Sequence, residues 1–549
     1  MENEIRSLLG TALGELFGPE AAAVNLVLEV PRDRSHGDLA TNVAMSLART
    51  LKKPPRKIAE ELVAHLEGQD TFLESITIAG PGFINFRIGS SIWHHSLADI
   101  LKKKTAYGRT HAGEDFPVMV EYVSANPTGP LNVVNARAAA FGDTLVRLFD
   151  AAGYKVASEF YINDVGRQID LLGESLLARY EQVQGRGEGQ IPEDGYQGEY
   201  LIELAQELDA KEIDASLADK SDSEKRDIMS RHAVEKLRAW QEKDLKAYGT
   251  QFDRWFYQHE LYPQGVEDTF KLLQEKGLVE ERDGAQWFRA TQFGDDQDRV
   301  LIRANGDPTY FLADLAYHTS KESRGIKRSI DIWGPDHHGY IERMQSAMEA
   351  LGFGRDWLEV LIVQQVNLLS DGKQVKMSKR KGEFITLQDL IEEVGKDAAR
   401  FFFLQRRAES HLDFDLDLAK KENDENPVFY VKYAHARISG VIRKATEQGV
   451  SESQDADLSL LKEAPELALI KVLHRFPAII ASAAAQREPH RLTTYLREVA
   501  QAFHLFYHEC RVISDNSDLT SARLALCRAS QIVVSNGLSL MDISAPERM

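Results

Sequence analysis

Val118-Met119-Val120-Glu121-Tyr122-Val123 runs directly into Ser124-Ala125-Asn126-Pro127-Thr128-Gly129-Pro130, and this junction decides the fold. Apart from one acid, the first six residues are apolar, β-branched or aromatic, as a strand buried on both faces requires. The Pro/Gly-rich turn ends it. A helical pattern through Ala139, Leu145, Leu148 and Phe149 then continues to Gly153, and Lys155 to Tyr161 reads as a second strand. The unit is βαβ, with its turn at the carboxyl end of the first strand, where open α/β sheets bind ligands. Glu121 stands out in such a strand, because a buried acid is costly without a partner or a ligand.

The same alternation resumes downstream, with Ser329 to Trp333 as a strand, Ile341 to Leu351 as a helix and Leu358 to Gln364 as another strand. Between the two blocks, residues 183–262 are polar and acidic, open with Gly185-Arg186-Gly187-Glu188-Gly189, and read as a helical insertion. Upstream, residues 1–110 form a small mixed α+β unit. Its helical patterns lie near 3–17, 39–51 and 55–67, and its strands, 75–78 and 83–86, flank Gly80-Pro81-Gly82. After residue 415 the pattern is entirely helical. The predicted organisation is an N-terminal domain over 1–110, an α/β parallel-sheet domain over 111–414 and an all-helical domain over 415–549.

At 549 residues the chain exceeds what one core supports, and its 43% apolar and 28% charged content excludes a mainly disordered protein. With 66 basic and 85 acidic side chains the net charge is −19, so no general attraction to phosphate backbones or anionic membranes exists. A nucleic-acid partner must therefore be held by a local basic patch. Cys510 and Cys527 are the only cysteines, which argues against a disulfide framework or a structural zinc site and for a reducing compartment. The acidic start Met1-Glu2-Asn3-Glu4 and the amphipathic Ile5, Leu8, Leu9, Leu13 and Leu16 do not read as a signal peptide. The apolar stretch Leu467 to Ala485 is interrupted by Lys471, His474, Arg475 and Pro477, so no membrane span is expected.

Two segments point to phosphate chemistry. There is no GxxxxGK[ST] loop, and the 185–189 glycines follow no strand, so they read as a solvated loop. Lys376-Met377-Ser378-Lys379-Arg380-Lys381-Gly382, by contrast, packs four cations into six positions, which makes sense if a polyphosphate sits among them. The second segment is the helix start Asn132-Val133-Val134-Asn135 after the Pro/Gly turn. Tyr310 and Asp314, four apart, share one helix face. His337-His338 has no metal-ligand spacing around it, and no metal site is expected.

Taken together, these segments resemble the class I aminoacyl-tRNA synthetases, specifically the bacterial arginyl-tRNA synthetases, over essentially the whole length. Lys376-Met377-Ser378-Lys379-Arg380 is similar to the family's KMSKS loop. Glu121, Ser124 and Asn126 match its substrate strand, and Tyr310 with Asp314 its arginine pocket. Asp331 to Tyr340, including Asp336 and His337, resembles a signature beside that site. Asn426 to Arg437, with Tyr430, Tyr433 and Arg437, and the terminal Ala545 to Met549 resemble the anticodon-binding helices. Phe83, Asn85 and Phe86 resemble the domain that contacts the tRNA elbow.

The resemblance implies a Rossmann-like catalytic domain that adenylylates L-arginine with ATP and Mg2+ and then transfers it to arginine tRNA, in a cytoplasmic monomer. It implies ATP contacts at Asn132, Val134, Asn135, Lys376, Met377, Ser378 and Lys379, with Lys376, Lys379, Asn132 and Asn135 carrying catalysis. It implies arginine contacts at Glu121, Ser124, Asn126, Tyr310, Asp314, Asp336 and His337, and tRNA contacts at Phe83, Asn85, Tyr430, Tyr433, Arg437 and Met549. A guanidinium, planar and carrying five donors, needs converging carboxylates or hydroxyls, which Glu121, Asp314 and Tyr310 supply.

One departure is plain: the family's His-x-Gly-His falls on Asn132, Val133, Val134 and Asn135, so both histidines and the glycine are replaced. Asparagine still donates through its amide but carries no charge. This motivates an alternative, a non-catalytic tRNA-binding paralogue. An adenylyl-transferring enzyme for another small acid is a third reading, but it leaves the C-terminal helices unexplained.

Overall fold

The computed structural model describes residues 2–31, 33, 36–67, 72–375, 385–450 and 455–549, with backbone only at 2 and 3. They divide into two compact units: Met1–Lys104 with Val441–His474 and Ala502–Ser530, and Thr105–Gly440 with Arg475–Gln501 and Gln531–Met549.

In the first unit, β1 (Leu28–Glu29), β2 (Leu39–Thr41), β3 (Leu73–Ala79) and β4 (Phe83–Ile88) form an antiparallel sheet in the order β1-β2-β4-β3. The turn between β3 and β4 places Gly80 at φ 51° and Gly82 at φ 145°, conformations that glycine adopts without strain. The helices Glu2–Phe17, Val43–Leu51 and Pro55–Leu66 bury Ile5, Leu9, Leu13, Leu47, Ile58 and Leu62 against it. The helical reading of 39–51 needs correction at its start. Residues 39–41 pair with β4 as strand, and Thr41 Oγ1 donates to the Val27 carbonyl at 2.8 Å, so the helix begins only at Val43.

In the second unit, β5 (Pro117–Glu121), β6 (Lys155–Ile162), β7 (Arg254–Tyr257), β11 (Arg328–Trp333) and β12 (Leu358–Ile362) form one parallel sheet, ordered β12-β11-β5-β6-β7. The strand order reverses at β5, which opens a crevice beyond the carboxyl ends of β5 and β11. The helix Val133–Ala151 is the crossover from β5 to β6 and buries Ala136, Ala139, Ala140, Leu145 and Leu148. The acidic insertion is helical over Tyr200–Glu207, Ala210–Leu217 and Asp222–Ala247, the last opened by a Ser221/Glu224 capping box. The reading of 183–262 as helical needs correction at its end, where Arg254–Tyr257 is β7, paired parallel to β6 in the central sheet.

Two small sheets were not apparent in the sequence. Strands β8 (Val279–Arg282), β9 (Ala285–Phe288) and β10 (Arg299–Ile302) form an antiparallel sheet, and β13 (Val366–Ser370) pairs with β14 (Lys373–Gln374) and β15 (Leu412–Asp415). These strands are at most five residues long and several are charged, so they carry little hydrophobic periodicity. The apolar Ala464–Gln486 stretch is long enough by composition for a membrane span, yet it is two helices meeting at Arg475.

Candidate active site

Glu121 ends β5, and the chain then turns through Val123 at φ 68° and Ser124 at φ 37°. A left-handed β-branched valine is costly and persists only where surrounding bonds enforce it. Ser124 Oγ donates to Glu121 Oε1 at 3.0 Å and accepts from the Tyr161 amide at 3.1 Å, clipping β5 to β6. Asn126 Nδ2 donates to Gln168 Oε1 at 2.9 Å. The insertion holds the rest of the turn. Buried Gln241 donates to the carbonyls of Asn126 and Gly129 at 3.1 and 3.0 Å, and Tyr200 Oη donates to the Thr128 carbonyl.

Beside this turn, Thr309 caps the helix Tyr310–Ser323, which carries Tyr310 and Asp314. Tyr310 is 55% exposed, and its hydroxyl lies where a Cβ on Gly166 would approach to 2.5 Å, so Gly166 at φ 101° leaves room for the phenol. Tyr340 Oη donates to Asp314 Oδ2 at 2.7 Å. Burial pushes the Asp314 carboxyl above its usual range, against the opposing Tyr340 hydrogen bond. Among the described residues Asp314 has no ion-pair partner. Burial first, then the carboxylates of Asp314 and Glu121, push the Tyr161 phenol up.

Glu121 is 6% exposed and does have a partner. Lys321, fully buried on the same helix as Asp314, donates to Glu121 Oε2 at 2.6 Å, to Asp331 Oδ1 at 3.0 Å and to Ser329 Oγ at 3.1 Å. His318 places Nδ1 2.8 Å from the Asp314 carbonyl and Nε2 2.9 Å from Asp331 Oδ2. Burial alone would raise the Asp331 carboxyl, but Lys321 and His318 together hold it below its usual range. Next to this cluster, Tyr317 and Arg324 bind Glu159. Sequence reasoning passed over Lys321 and His318, and met Asp331 only as the first residue of the signature beside the site. The signal was there: Asp314, His318 and Lys321 recur at i, i+4 and i+7 on an otherwise apolar helix face.

On the phosphate side, Asn132 and Asn135 form a capping box. Asn132 Oδ1 accepts from the amides of Val134 and Asn135 at 2.9 and 3.1 Å, while Asn135 Oδ1 accepts from the Asn132 amide at 3.0 Å. Each side-chain oxygen is engaged, and each NH2 remains the group able to donate outward. Arg137, one turn along, is buried and donates to the carbonyls of Gln364, Arg407 and Ser410 at 2.7, 2.9 and 2.8 Å. Burial pushes its guanidinium down to about 10. Lys376, Met377, Ser378 and Lys379 lie outside the described residues. The segments flanking them are placed: the Val375 amide donates to the Leu368 carbonyl at 2.8 Å, and the Leu387 amide to the Leu131 carbonyl at 2.8 Å beside an Asn132–Thr386 bridge. Asp336 and His337 sit on an exposed turn, Pro335–Tyr340, with carboxylate and imidazole 3.3 Å apart. Among the described residues no group of three or more His, Cys, Asp or Glu side chains could hold a metal ion.

The expected tRNA contacts fall at two further places. Phe83 and Asn85, two apart on β4, line a 260 Å³ cavity with Val30, His36 and Thr41. Tyr430, Tyr433 and Arg437 lie on the helix Pro427–Glu447, where the Arg437 guanidinium sits 4.6 Å from the Tyr433 ring centroid and donates to its hydroxyl at 2.6 Å. Tyr430 lines a 410 Å³ cavity with Asp424, Arg497 and Gln501. His435 bonds the Pro546 carbonyl at 2.8 Å, tying the tail that ends at exposed Met549 to the same helix.

Three regions match known families: an arginyl tRNA synthetase N terminal domain over residues 3–88, a class I (R) tRNA synthetase catalytic domain over 96–416 and a DALR anticodon binding domain over 431–549. An arginine–tRNA ligase from Syntrophotalea carbinolica is 47% identical over 556 aligned residues, covering 100% of both chains. One from Bacillus subtilis is 46% identical, covering 96% of this chain and 95% of its own. A solved structure described as an arginyl-tRNA synthetase from Campylobacter jejuni superimposes with TM-score 0.76 at 35% identity, covering 84% of this chain and all of that one. The Thermus thermophilus arginyl-tRNA synthetase, at 22% identity and TM-score 0.76 over the full length of both chains, shares the fold.

Proposed function

The chain belongs to the class I arginyl-tRNA synthetase family, and from that membership we propose that it attaches L-arginine to its tRNA at the expense of ATP. In the first step an arginine carboxylate oxygen attacks the α-phosphorus of ATP and pyrophosphate leaves. A terminal ribose hydroxyl of the tRNA then attacks the arginyl-adenylate carbonyl and releases AMP. The observation that carries this reading is Asp314. Its carboxylate is oriented by Tyr340 and, among the described residues, unpaired by any cation, so a guanidinium entering beside Tyr310 and Glu121 supplies the missing charge.

Ser124 and Asn126, on the enforced turn, and Asp336 and His337, on the exposed one, take the remaining contacts to the amino acid. The Asn132 and Asn135 NH2 groups and the helix N-terminus donate to ATP phosphates, with Val134 beside the adenine. Lys376 and Lys379 supply fixed cations, flanked by Met377 and Ser378. Mg2+ arrives with the ATP phosphates as part of the substrate. Catalysis is positioning plus electrostatic stabilisation, which needs no protein nucleophile.

Residues 1–110 take the tRNA elbow at Phe83 and Asn85. Residues 111–414 perform the chemistry, with a helical insertion that starts near 183 and ends before β7 at Arg254. Residues 415–549 take the anticodon at Tyr430, Tyr433, Arg437 and Met549, because aromatic rings and guanidinium planes suit unstacked bases. The protein acts as a cytoplasmic monomer. Pyrophosphate exchange with each amino acid, with and without tRNA, tests the assignment: exchange with arginine supports it, and none with any amino acid refutes it.

A further inference from the structure

Lys321 is an unusual residue to find fully buried, since an ammonium without compensation would lose its charge. Here it bonds two carboxylates, Glu121 on β5 and Asp331 on β11, and one hydroxyl, Ser329. Its Nζ also lies 4.4 Å from the Tyr317 ring centroid. Among the charged groups nearby, Asp331 is also bonded by His318, and Glu159 is matched by Arg324. Glu121 and Asp331 thus share one cation, Lys321, whereas among the described residues no Lys or Arg ion-pairs with Asp314.

We propose that Lys321 is a positioning residue for arginine recognition: it keeps Glu121 ionised and aimed into the pocket by separating its carboxylate from that of Asp331. The idea rests on the reading of Glu121, Tyr310 and Asp314 as the arginine pocket. Lys321 itself reaches no substrate, because both carboxylates and the Tyr317 ring surround its ammonium. Without it, two buried carboxylates share one space, and Glu121 either takes up a proton or turns away. Either outcome removes an acceptor from the guanidinium and leaves the phosphate side untouched.

The test is steady-state kinetics on the full chain with tRNA present, varying arginine and ATP separately. Lys321→Met is expected to raise the arginine KM about 10- to 100-fold, leaving the ATP KM and the turnover at saturating arginine within about threefold. A folded Lys321→Met variant with the parental arginine KM, or with equal losses in both KM values, overturns the proposal. Should Lys321→Met not fold, Glu121→Gln is compared with Glu121→Gln/Lys321→Met, which lacks the repelling pair. Equal arginine KM values are expected, because Lys321 acts only through Glu121, and a further tenfold rise in the double variant overturns the idea. Asp314→Asn, measured alongside, separates the two levels. If it leaves the arginine KM unchanged, the pocket reading itself fails, whereas a raised KM there with none in Lys321→Met removes only the role of Lys321.

Discussion

The hydroxyl of Tyr340 donates to Asp314 Oδ2 at 2.7 Å, and no cation among the described residues meets that carboxylate. A tyrosine from the turn after β11 thus orients an acid on the Tyr310–Ser323 helix and leaves its charge for a ligand. Asp314→Asn is expected to raise the arginine KM by about 2 to 5 kcal/mol in binding terms, the cost of removing one partner of a buried charge pair, and to spare the ATP KM. Separate Michaelis constants check this, and unchanged values remove Asp314 from the pocket.

The pH dependence follows from the same group. Because burial raises the folded-state pKa of Asp314, its proton-linked contribution to stability without arginine is present at low pH and is lost as pH rises through that pKa. Arginine binding needs the ionised form, so the arginine KM rises as pH falls through the same point, above the usual aspartate value of about 3.9. The profile should lose this limb in Asp314→Asn. An identical limb in both proteins assigns it to another group.

Asn132 and Asn135 use their side-chain oxygens as caps, so replacing both by alanine should lower stability by about 0.5 to 2 kcal/mol. If their NH2 groups also donate to phosphate, the rate of arginyl-adenylate formation falls by a further ~1 to 3 kcal/mol equivalent. Rapid mixing and thermal melts on the same variant separate the two effects. A parental rate with a lower melting point shows that they cap the helix and nothing more.

With neutral amides at Asn132 and Asn135, the proposed ATP site leaves the phosphate charge to the lysine segment, so a prediction attaches to Lys379. Lys379→Ala should lower turnover roughly 10²- to 10³-fold, the scale for one preorganised transition-state donor. Single-turnover adenylate formation is the measurement, and a loss under threefold removes Lys379 from the chemistry.

Arg400 is fully buried and binds Asp143, the Tyr248 carbonyl at 3.1 Å and the Met541 carbonyl at 2.5 Å. It joins the Val133–Ala151 helix, the end of the insertion and the C-terminal segment around one charge. Arg400→Leu should cost about 2 to 5 kcal/mol, because Asp143 keeps only the more exposed Arg147 and the Tyr248 and Met541 carbonyls lose a donor. Chemical denaturation reads the loss directly, and a change under 1 kcal/mol removes Arg400 as a structural tie.

Contacts to tRNA are expected to be separable from those to arginine. Tyr433→Ala should raise the tRNA KM and leave the arginine KM unchanged, since the Tyr433–Arg437 stack offers a platform for an unstacked base. Crosslinks from anticodon bases that land only in residues 1–110 refute that placement.

Along the chain, local chemistry was readable before any packing was known. The βαβ junction at Glu121 to Asn135 and the helix Ile341–Leu351 were legible from apolar period and turn residues, the helices of the insertion from its polar composition, though not β7 at its end, and the motifs were enough to indicate the family. The strands β8 to β10 and β13 to β15 were not, because short charged strands are specified by their partners rather than by their own period. The site divides in the same way. A costly acid in β5 announced that it needed a partner, and Tyr310 and Asp314 announced a shared face. Only the tertiary structure decided that the partner of Glu121 is Lys321, 200 positions away, and that Asp314 is the carboxylate left over. Charge compensation depends on distances of about 3 Å between residues on different elements, and no spacing along one chain encodes those distances.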